Sequence, residues 1–246
     1  MTGLAVEGRA PAIPWRLASY NIHGCLGGDG RRDPGRIAAV IRGLNADVVG
    51  LQEVYTGGTD LGLADQLDAL SRETGLEAVF GAALEREGLS FGNALLTSRP
   101  ILSVERHDLT VSRREPRAAL EVDLEVSGIR LSTFVTHLGL RAGERGRQID
   151  CLLGILERVP RAAVALLGDV TEWNPYSRAL RRLSERFGRH PAYPTFPAVR
   201  PLLALDRIWF SPREHLVEVR TQQTAVSRKA SDHLPLVATI AIGERT

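Results

Sequence analysis

Two neighbouring segments of alternating apolar and polar residues constrain the fold most strongly. The segment "ALEVDLEV" (119–126) is followed by "SG" and then by "IRLSTFVTHL" (129–138). Such alternation is typical of half-buried strands, and a two-residue turn joins two of them into an antiparallel hairpin. Other strand-like segments are "RLASYN", "DVVGLQEV", "GNALLTS", "ILSVERHDL", "AVALLGD", "LDRIWF", "LVEVRTQ" and "LPLVATIAI".

Helices are fewer than strands in this sequence. The segment "RDPGRIAAVIRGLN" predicts a helix with Asp33 as N-cap and Pro34 at its first position. Further helices are predicted over 62–74, 144–158 and 175–188. Because strands predominate and hairpins join them, a purely parallel doubly wound sheet is disfavoured. We predict an α/β (α+β) fold with two packed, mostly antiparallel sheets flanked by helices.

The chain of 246 residues shows no break in composition, so we predict a single domain over 15–246. Residues 1–14 lack a basic start followed by an apolar core, and we interpret them as a flexible leader without a secretion signal. No segment is apolar enough for a membrane span. Cys25 and Cys151 are in no metal or redox spacing, which indicates unpaired thiols. We therefore expect a cytoplasmic monomer without an integral membrane segment.

The charge balance excludes little. A formal net charge of +2 is too small to indicate a nucleic-acid partner. Lys229 is the only lysine, so nearly all basic residues are arginines, which bind phosphate in a bidentate manner.

Six separate segments place a polar residue at a junction between a strand and a loop. One such residue is usually a turn former or a helix cap, as we expect for Asp33 and Asp47. Six such segments with residues of suitable chemistry indicate a site. They are Asn21, Glu53, His137, Asp169, Asp206 and the pair Asp232 and His233.

This set suits the hydrolysis of a phosphodiester. A hard cation such as Mg²⁺ takes oxygen ligands, and Glu53 and Asp232 supply carboxylates. Asp169 or a histidine can accept a proton from the attacking water. Asp206 can hold the imidazole of His233 in one tautomer.

The phosphate itself also needs donors, and Asn21 and His137 can provide them. A zinc hydrolase is an alternative use of the same acids and histidines, but the sequence has neither an HExxH spacing nor a cysteine pair. The absence of GxSxG disfavours a serine hydrolase, and the absence of GxxxxGK[ST] disfavours ATP-type phosphoryl transfer.

The ordered motifs "SYNIHG", "LQEV", "VTHLG", "LLGD", "LDRIW" and "SDHLPL" resemble those of the endonuclease/exonuclease/phosphatase superfamily, which includes deoxyribonuclease I. The resemblance runs from about Arg16 to about Ile242 and extends to "GNALLT", "REPRAAL" and "RPLLALDRIW" of a compact bacterial branch. It implies a four-layer α/β/β/α sandwich and a hydrolase that uses Mg²⁺ or Mn²⁺.

The resemblance also implies residue roles. Glu53 corresponds to the main metal ligand, with Asn21 and Asp232 nearby. Asp169 corresponds to the group that aligns or deprotonates water. His233, partnered by Asp206, corresponds to the general base or to a phosphate-binding imidazole.

Two further residues extend this set. His137 matches the second histidine of the deoxyribonuclease I type. Arg117, in "REPRAAL", is either an additional phosphate ligand or a partner in a surface salt bridge.

The segment "GDVTEW" departs from the family pattern, in which asparagine follows two residues after the aspartate. Here Thr171 occupies that position, and Asn174 is the nearest replacement amide. Losing one oriented donor typically costs about 10²- to 10³-fold in rate. Two hypotheses follow: a weakened or retuned hydrolase, or a catalytically degenerate member that binds a phosphorylated ligand or a protein.

The substrate class stays open between nucleic acid, a phospholipid head group and a sugar phosphate, because all share the phosphoester. An aromatic content of 5% and a single Met offer no evident wedge for distorted DNA. No exposed apolar loop is evident. The Pro-rich segment 189–206 predicts a stiff loop at the mouth of the site.

Overall fold

The computed structural model describes residues 14–57, 65–158 and 161–241. The first strand begins at Pro14, the last residue of the predicted leader. Residues 1–13 of that leader lie outside the described residues, as do residues 62–64 of the second predicted helix.

Eleven strands and five α-helices form the described part of the chain. The strands are β1 Pro14–Asn21, β2 Val48–Gly57, β3 Glu77–Arg86, β4 Leu89–Thr97, β5 Ile101–Asp108, β6 Ala118–Val126, β7 Ile129–His137, β8 Ala163–Asp169, β9 Asp206–Ser211, β10 Leu216–Thr221 and β11 Leu236–Ala241. The helices are α1 Pro34–Leu44, α2 Gln66–Thr74, α3 Ala142–Arg158, α4 Arg178–Phe187 and α5 Ser227–Ala230.

The strands form two mixed sheets. One has the order β10-β11-β1-β2-β4-β3, and the other has the order β5-β6-β7-β8-β9. Each sheet contains one parallel pair, β1 with β2 and β7 with β8, while the remaining neighbours are antiparallel. A parallel pair needs a crossover, which α1 and α3 provide. The predicted fold class is confirmed.

Alternation along the strands separates the apolar side chains into three buried layers. In β1, Leu17 packs between the two sheets, whereas Ala18 packs against α1 and α2. In β8, Leu167 packs between the sheets and Leu166 packs against α3 and α4. Successive strand side chains point to opposite faces, so the two central sheets are covered by helices outside.

Several elements differ from the sequence-based expectation: α3 begins at Ala142 rather than at residue 144, and the short helix α5 was not predicted. Strand β3 was not predicted, because its apolar residues run together without strict alternation, and it pairs only with β4 at the sheet edge. Helix α4 begins at Arg178 rather than at residue 175, since the side chain of Ser177 caps it by accepting from the amide of Leu180.

The strands β7 and β8 approach each other closely at Gly168, one residue before Asp169. A Cβ atom at this position would lie 2.2 Å from the carbonyl oxygen of Thr136. That distance is far below van der Waals contact, so glycine is required where the strand delivers Asp169.

We expect Gly168→Ala to destabilise the fold by about 1 to 3 kcal/mol, because β8 must move away from β7. Urea unfolding measures the change. Gly154→Ala is the control, since nothing lies within 4 Å of a Cβ there and the residue is in helix α3. This control should gain up to about 1 kcal/mol. Equal stability of Gly168→Ala and wild type would contradict the packing argument.

Candidate active site

A hydrogen bond between the two sheets marks the centre of the site. Nδ2 of Asn21, the last residue of β1, donates to Oδ2 of Asp169, the last residue of β8, at 3.2 Å. His137, Asp169 and Asp206 occupy paired positions on β7, β8 and β9. The parallel strands of both sheets therefore end at one edge of the sandwich and bring these predicted residues together.

Glu53 reaches the same edge through an irregularity in β2. The register of β2 against β4 shifts between Leu51 and Val54, and Glu53 has a φ of 56°. A bulge redirects side chains, and a left-handed conformation is uncommon for a residue other than glycine. Oε1 of Glu53 accepts from Nδ2 of Asn21 at 3.0 Å. The bulge thus turns the carboxylate toward the end of β1.

Asp169 is the most heavily coordinated carboxylate of the site. Its side chain is only 2% exposed, and its Oδ1 accepts from the amide of Thr171 at 2.8 Å. Its Oδ2 lies 3.7 Å from Nε2 of His137 and 3.6 Å from Nε2 of His233. Burial alone would raise the pKa of Asp169, but the two imidazoles and the hydrogen bonds outweigh it and lower this pKa. The group is therefore an anion.

His233 forms a buried pair with Asp206. Its Nδ1 lies 2.8 Å from Oδ2 of Asp206, which also accepts from the hydroxyl of Thr195. The ring of Phe196 packs on the imidazole with ring centroids 4.9 Å apart. Burial opposes the charge on the ring, yet Asp206 and Asp169 prevail and raise the pKa of His233 to about 10. The ring is consequently an imidazolium near neutral pH.

His137 has the opposite character. Burial lowers its pKa, against the attraction of Asp169. Its Nδ1 has no hydrogen-bond partner among the described residues, and the same holds for Nε of Arg117. Both residues line one small cavity with Asn93, whose Nδ2 donates to the carbonyl oxygen of Ala118 at 2.8 Å.

Arg117 is buried, and its Nη2 donates to Oε2 of Glu115 at 3.0 Å. The guanidinium thus takes part in an ion pair and also faces the cavity beside His137. Both roles that the sequence left open for Arg117 are compatible with this position.

Asp232 lies at the rim of the site with its side chain 43% exposed. Its Oδ1 is 3.6 Å from Nδ1 of His23 and accepts from the hydroxyl of Ser231 at 3.3 Å. The same hydroxyl donates to the backbone oxygen of Asn21 at 2.8 Å. Ser231 therefore ties the segment before β11 to the end of β1.

The side chain of Thr171 is turned toward the loop after β7. Its hydroxyl donates to the carbonyl oxygen of Gly139 at 2.8 Å, and its φ is 49°. Asn174 accepts from the amide of Tyr176 at 3.0 Å and caps the turn before α4. Both side chains expected to contact phosphate are thus engaged in loop structure.

Acidic and histidine side chains that could hold a metal ion lie close together here. Ligand atoms of Asp169, Asp206 and His233 are within 4.8 Å of one another. In this trio a hydrogen bond already links His233 to Asp206. Glu53 and the half-exposed Asp232 are oxygen donors beside it, which fits a hard ion that keeps several waters.

Four residues of the site were not singled out from the sequence: His23, Asn93, Thr195 and Phe196. Thr195 and Phe196 lie in the predicted stiff loop, and Phe196 is bridged to Leu203 across a tight turn. Only the motifs "NIH" and "GNA" offered a signal for His23 and Asn93. Thr195 and Phe196 join the site only through contacts with Asp206 and His233, which are distant in sequence, so no local pattern indicates them.

Apolar side chains are exposed on loops around the site, which corrects the expectation that none would be. They are Leu140 after β7, Trp173 and Tyr176 after β8, and Val199 and Leu202 before β9. Within the described part of the chain, no helix is both long and apolar enough to traverse a bilayer.

Comparison with known proteins gives a consistent family. The model of the endonuclease/exonuclease/phosphatase family matches residues 18–233. Protein YbhP of Escherichia coli (strain K12) is 32% identical over 162 residues, which are 61% of this chain and 62% of that protein. The match thus spans less than two thirds of this relative.

Solved structures agree with the fold. An endonuclease/exonuclease/phosphatase from Beutenbergia cavernae DSM 12333 is 25% identical with a TM-score of 0.75, covering 94% of this chain and 72% of that one. A mannosyl-6-phosphatase of Bacteroides thetaiotaomicron VPI-5482 is 16% identical with a TM-score of 0.72, covering 93% of this chain and 100% of that one. The latter likeness concerns the fold alone.

Thr171 provides a stability test of the altered loop. A β-branched residue in the left-handed region is strained by about 1 to 3 kcal/mol, and asparagine tolerates this conformation better. Thr171→Val keeps the strain and loses the bond to Gly139, at about 1 to 3 kcal/mol. We therefore expect Thr171→Asn to exceed Thr171→Val in free energy of unfolding. Equal values from urea unfolding would contradict the assigned strain and hydrogen bond.

The pair of His233 and Asp206 predicts a pH-dependent stability. Because folding raises the pKa of His233 from 6.5 to about 10, its contribution is complete below pH 6.5 and is lost as the pH rises toward 10. Between pH 7 and 10, wild type should lose more free energy of unfolding than Asp206→Asn. Urea titrations of metal-free protein measure this, and parallel pH profiles would contradict the ion pair.

Proposed function

Because the chain belongs to the endonuclease/exonuclease/phosphatase family, we propose that it is a divalent-metal-dependent phosphoester hydrolase acting on diesters. The enzymes of this family hydrolyse phosphoesters with divalent metals. The finer assignment to this chain is supported by one observation above all. Oδ2 of buried Asp169 lies 3.7 Å from Nε2 of His137, whose pKa burial lowers, and 3.6 Å from Nε2 of His233, whose pKa the neighbouring carboxylates raise.

This arrangement separates two tasks at one phosphate. The Asp169 carboxylate, fixed by Asn21 and the Thr171 amide, orients the attacking water and accepts its proton. The imidazolium of His233 directs Nε2–H toward the same position and stabilises negative charge on the phosphoryl oxygens. Between the base and phosphate-binding roles left open for His233, its raised pKa favours the second.

His137 and Arg117 complete the phosphate contacts in this proposal. Neutral His137 and the buried guanidinium of Arg117 both retain a nitrogen without a hydrogen-bond partner among the described residues. A buried donor without a partner is costly, and a substrate oxygen would satisfy Nε–H of Arg117. In neutral His137 the proton lies on Nε2, which faces Asp169, so Nδ1 would accept from a protonated oxygen of the substrate.

Glu53 and Asp232 would hold the metal ion, with the carbonyl oxygen of Asn21 nearby. The bound ion, Mg²⁺ or Mn²⁺, would polarise the phosphoryl oxygen and stabilise the negative charge that develops on the leaving oxygen. Asn21 itself positions Glu53, since Nδ2 of Asn21 donates to the carboxylate of Glu53 as well as to that of Asp169.

With threonine at position 171, we expect hydrolysis to be slower or to act on a different substrate, but not to be abolished. Its hydroxyl is bound to Gly139, so the donor that asparagine supplies in the family is absent from the phosphate contacts. The proposed metal ligands Glu53 and Asp232 and the pair of His233 and Asp206 are all retained in the sequence. Nucleic acid, a phospholipid head group and a sugar phosphate share the diester or monoester that these groups would bind.

The test uses bis(p-nitrophenyl) phosphate with Mg²⁺ or Mn²⁺. We expect turnover by wild type and a loss of at least about 10²-fold in kcat for His233→Ala. His215→Ala is the matched control, because His215 bonds to the carbonyl oxygen of Ala241 at the far end of β11. It should retain full activity.

Two outcomes would overturn this proposal. Activity that survives His233→Ala would remove the imidazolium from the mechanism. No turnover of this diester, or of DNA, RNA, lysophospholipid and inositol phosphate substrates, with either metal would favour the degenerate binding protein.

Metal binding provides a separate readout. Calorimetric titration of Mn²⁺ into Glu53→Gln should show an affinity at least about tenfold below that of wild type, because a neutral amide replaces the carboxylate. Glu218→Gln, on β10, is the control with an exposed carboxylate. Equal affinities of Glu53→Gln and wild type would exclude Glu53 as a ligand.

A further inference from the structure

A second cavity lies on the outer face of the sheet that carries Asp169. It has a volume of about 530 Å³ and is bounded by α4, β9 and the loop after α4. Its lining includes Tyr176, Leu180, Arg181, Arg189, Arg207 and Trp209. This volume is within the range of small-molecule sites.

The alternation of β9 separates this cavity from the catalytic residues. Ile208 and Phe210 pack between the two sheets, whereas Trp209 packs against the helices. Because successive strand residues point to opposite faces, Arg207 is on the side of Trp209 and Asp206 is on the other. Arg207 is thus adjacent to the site in sequence but faces away from it.

Arg207 is a buried cation without an ion-pair partner. Its side chain belongs to a residue only 5% exposed, and no carboxylate among the described residues lies within 4.0 Å of it. Nη1 donates to the carbonyl oxygens of Ala204 and Asp206. Within the described ranges, Nε and Nη2 have no hydrogen-bond partner, and they border the cavity, where solvent reaches them. Desolvation lowers the pKa of Arg207, while the carboxylates of Asp206, Glu172 and Asp169 act on it only from beyond ion-pair distance. An anion in the cavity would therefore stabilise the guanidinium.

The other residues that line the cavity also favour an anionic ligand that carries an apolar group. Arg189 adds positive charge, whereas Arg181 pairs with Glu185 at 3.7 Å, and residues 188–204 contain no carboxylate. The Trp209 indole N–H donates no hydrogen bond to any described residue. Leu180 and the rings of Trp209 and Tyr176 provide an apolar wall.

The geometry points to a binding pocket for an organic phosphate, formed around Arg207 and Trp209 and separate from the catalytic centre. The planar guanidinium of arginine matches two phosphate oxygens in a bidentate contact. The phosphate is either a second phosphate group of the substrate or that of a free small molecule.

Calorimetry of metal-free protein in EDTA tests this pocket with inorganic phosphate and phenyl phosphate as probes. We expect phenyl phosphate to bind more tightly than phosphate, because its ring contacts the apolar wall. Arg207→Met should weaken phenyl phosphate by at least about tenfold, as expected for a lost charged hydrogen bond. Arg182→Met is the control, since Arg182 pairs with Asp150 and does not line this cavity.

The variant His233→Ala separates this pocket from the catalytic site. Retained binding by His233→Ala together with loss in Arg207→Met supports the pocket, whether or not hydrolysis occurs. Loss in His233→Ala with retention in Arg207→Met places the phosphate at the catalytic centre and overturns the proposal. Equal affinity of wild type and Arg207→Met overturns it too.

Two further measurements establish whether Arg207→Met is folded and whether the bound phosphate belongs to the substrate or to a free molecule. Arg207→Met loses the two hydrogen bonds from Nη1 to backbone carbonyl oxygens, so urea unfolding first establishes that this variant is folded under the titration conditions. Arg207→Lys is the second variant, because it keeps a cation without the bidentate fork and should also weaken phenyl phosphate. If the substrate supplies the phosphate, Arg207→Met raises KM only for diesters with a second phosphate. If a free molecule supplies it, inorganic phosphate changes the hydrolysis rate of wild type but not of Arg207→Met. Either result supports the pocket.

Discussion

The buried carboxylate of Asp169 is the constraint on which the site depends. An anion that is 2% exposed needs compensating contacts, and it obtains them from both sheets. Asn21 at the end of β1 and His233 just before β11 reach it from the first sheet, while His137 at the end of β7 and the Thr171 amide after β8 reach it from the second. Separating the sheets would leave this charge unpaired, so the chemistry and the packing of the sandwich are coupled.

The two imidazoles show how burial and charge compete. Both rings are buried and both lie near Asp169, yet their pKa values move in opposite directions. The difference is the second carboxylate, since Asp206 contacts Nδ1 of His233 whereas Nδ1 of His137 has no partner among the described residues. One hydrogen bond thus distinguishes the ring whose pKa is raised from the ring whose pKa is lowered, although both lie beside Asp169.

Sequence patterns predicted the layers well, because they depend on local alternation and on helix signals such as Asp33 and Pro34. They also located the strand ends that carry Asn21 and Asp169. They missed β3, where apolar residues do not alternate, and the bulge that turns Glu53. The direction of the Thr171 hydroxyl and the contact of Phe196 with His233 depend on distant loops, which no local pattern encodes.

The pairing of β1 with β11 joins the first and the last described strands. Asp232 and His233 directly precede β11, so they can reach Asn21 and Asp169 only after that strand has docked. During translation, the chain must leave the ribosome as far as β11 before the imidazole of His233 meets Asp169 and Asp206. The contacts at the centre of the site therefore form late, once β11 has closed the sheet beside β1.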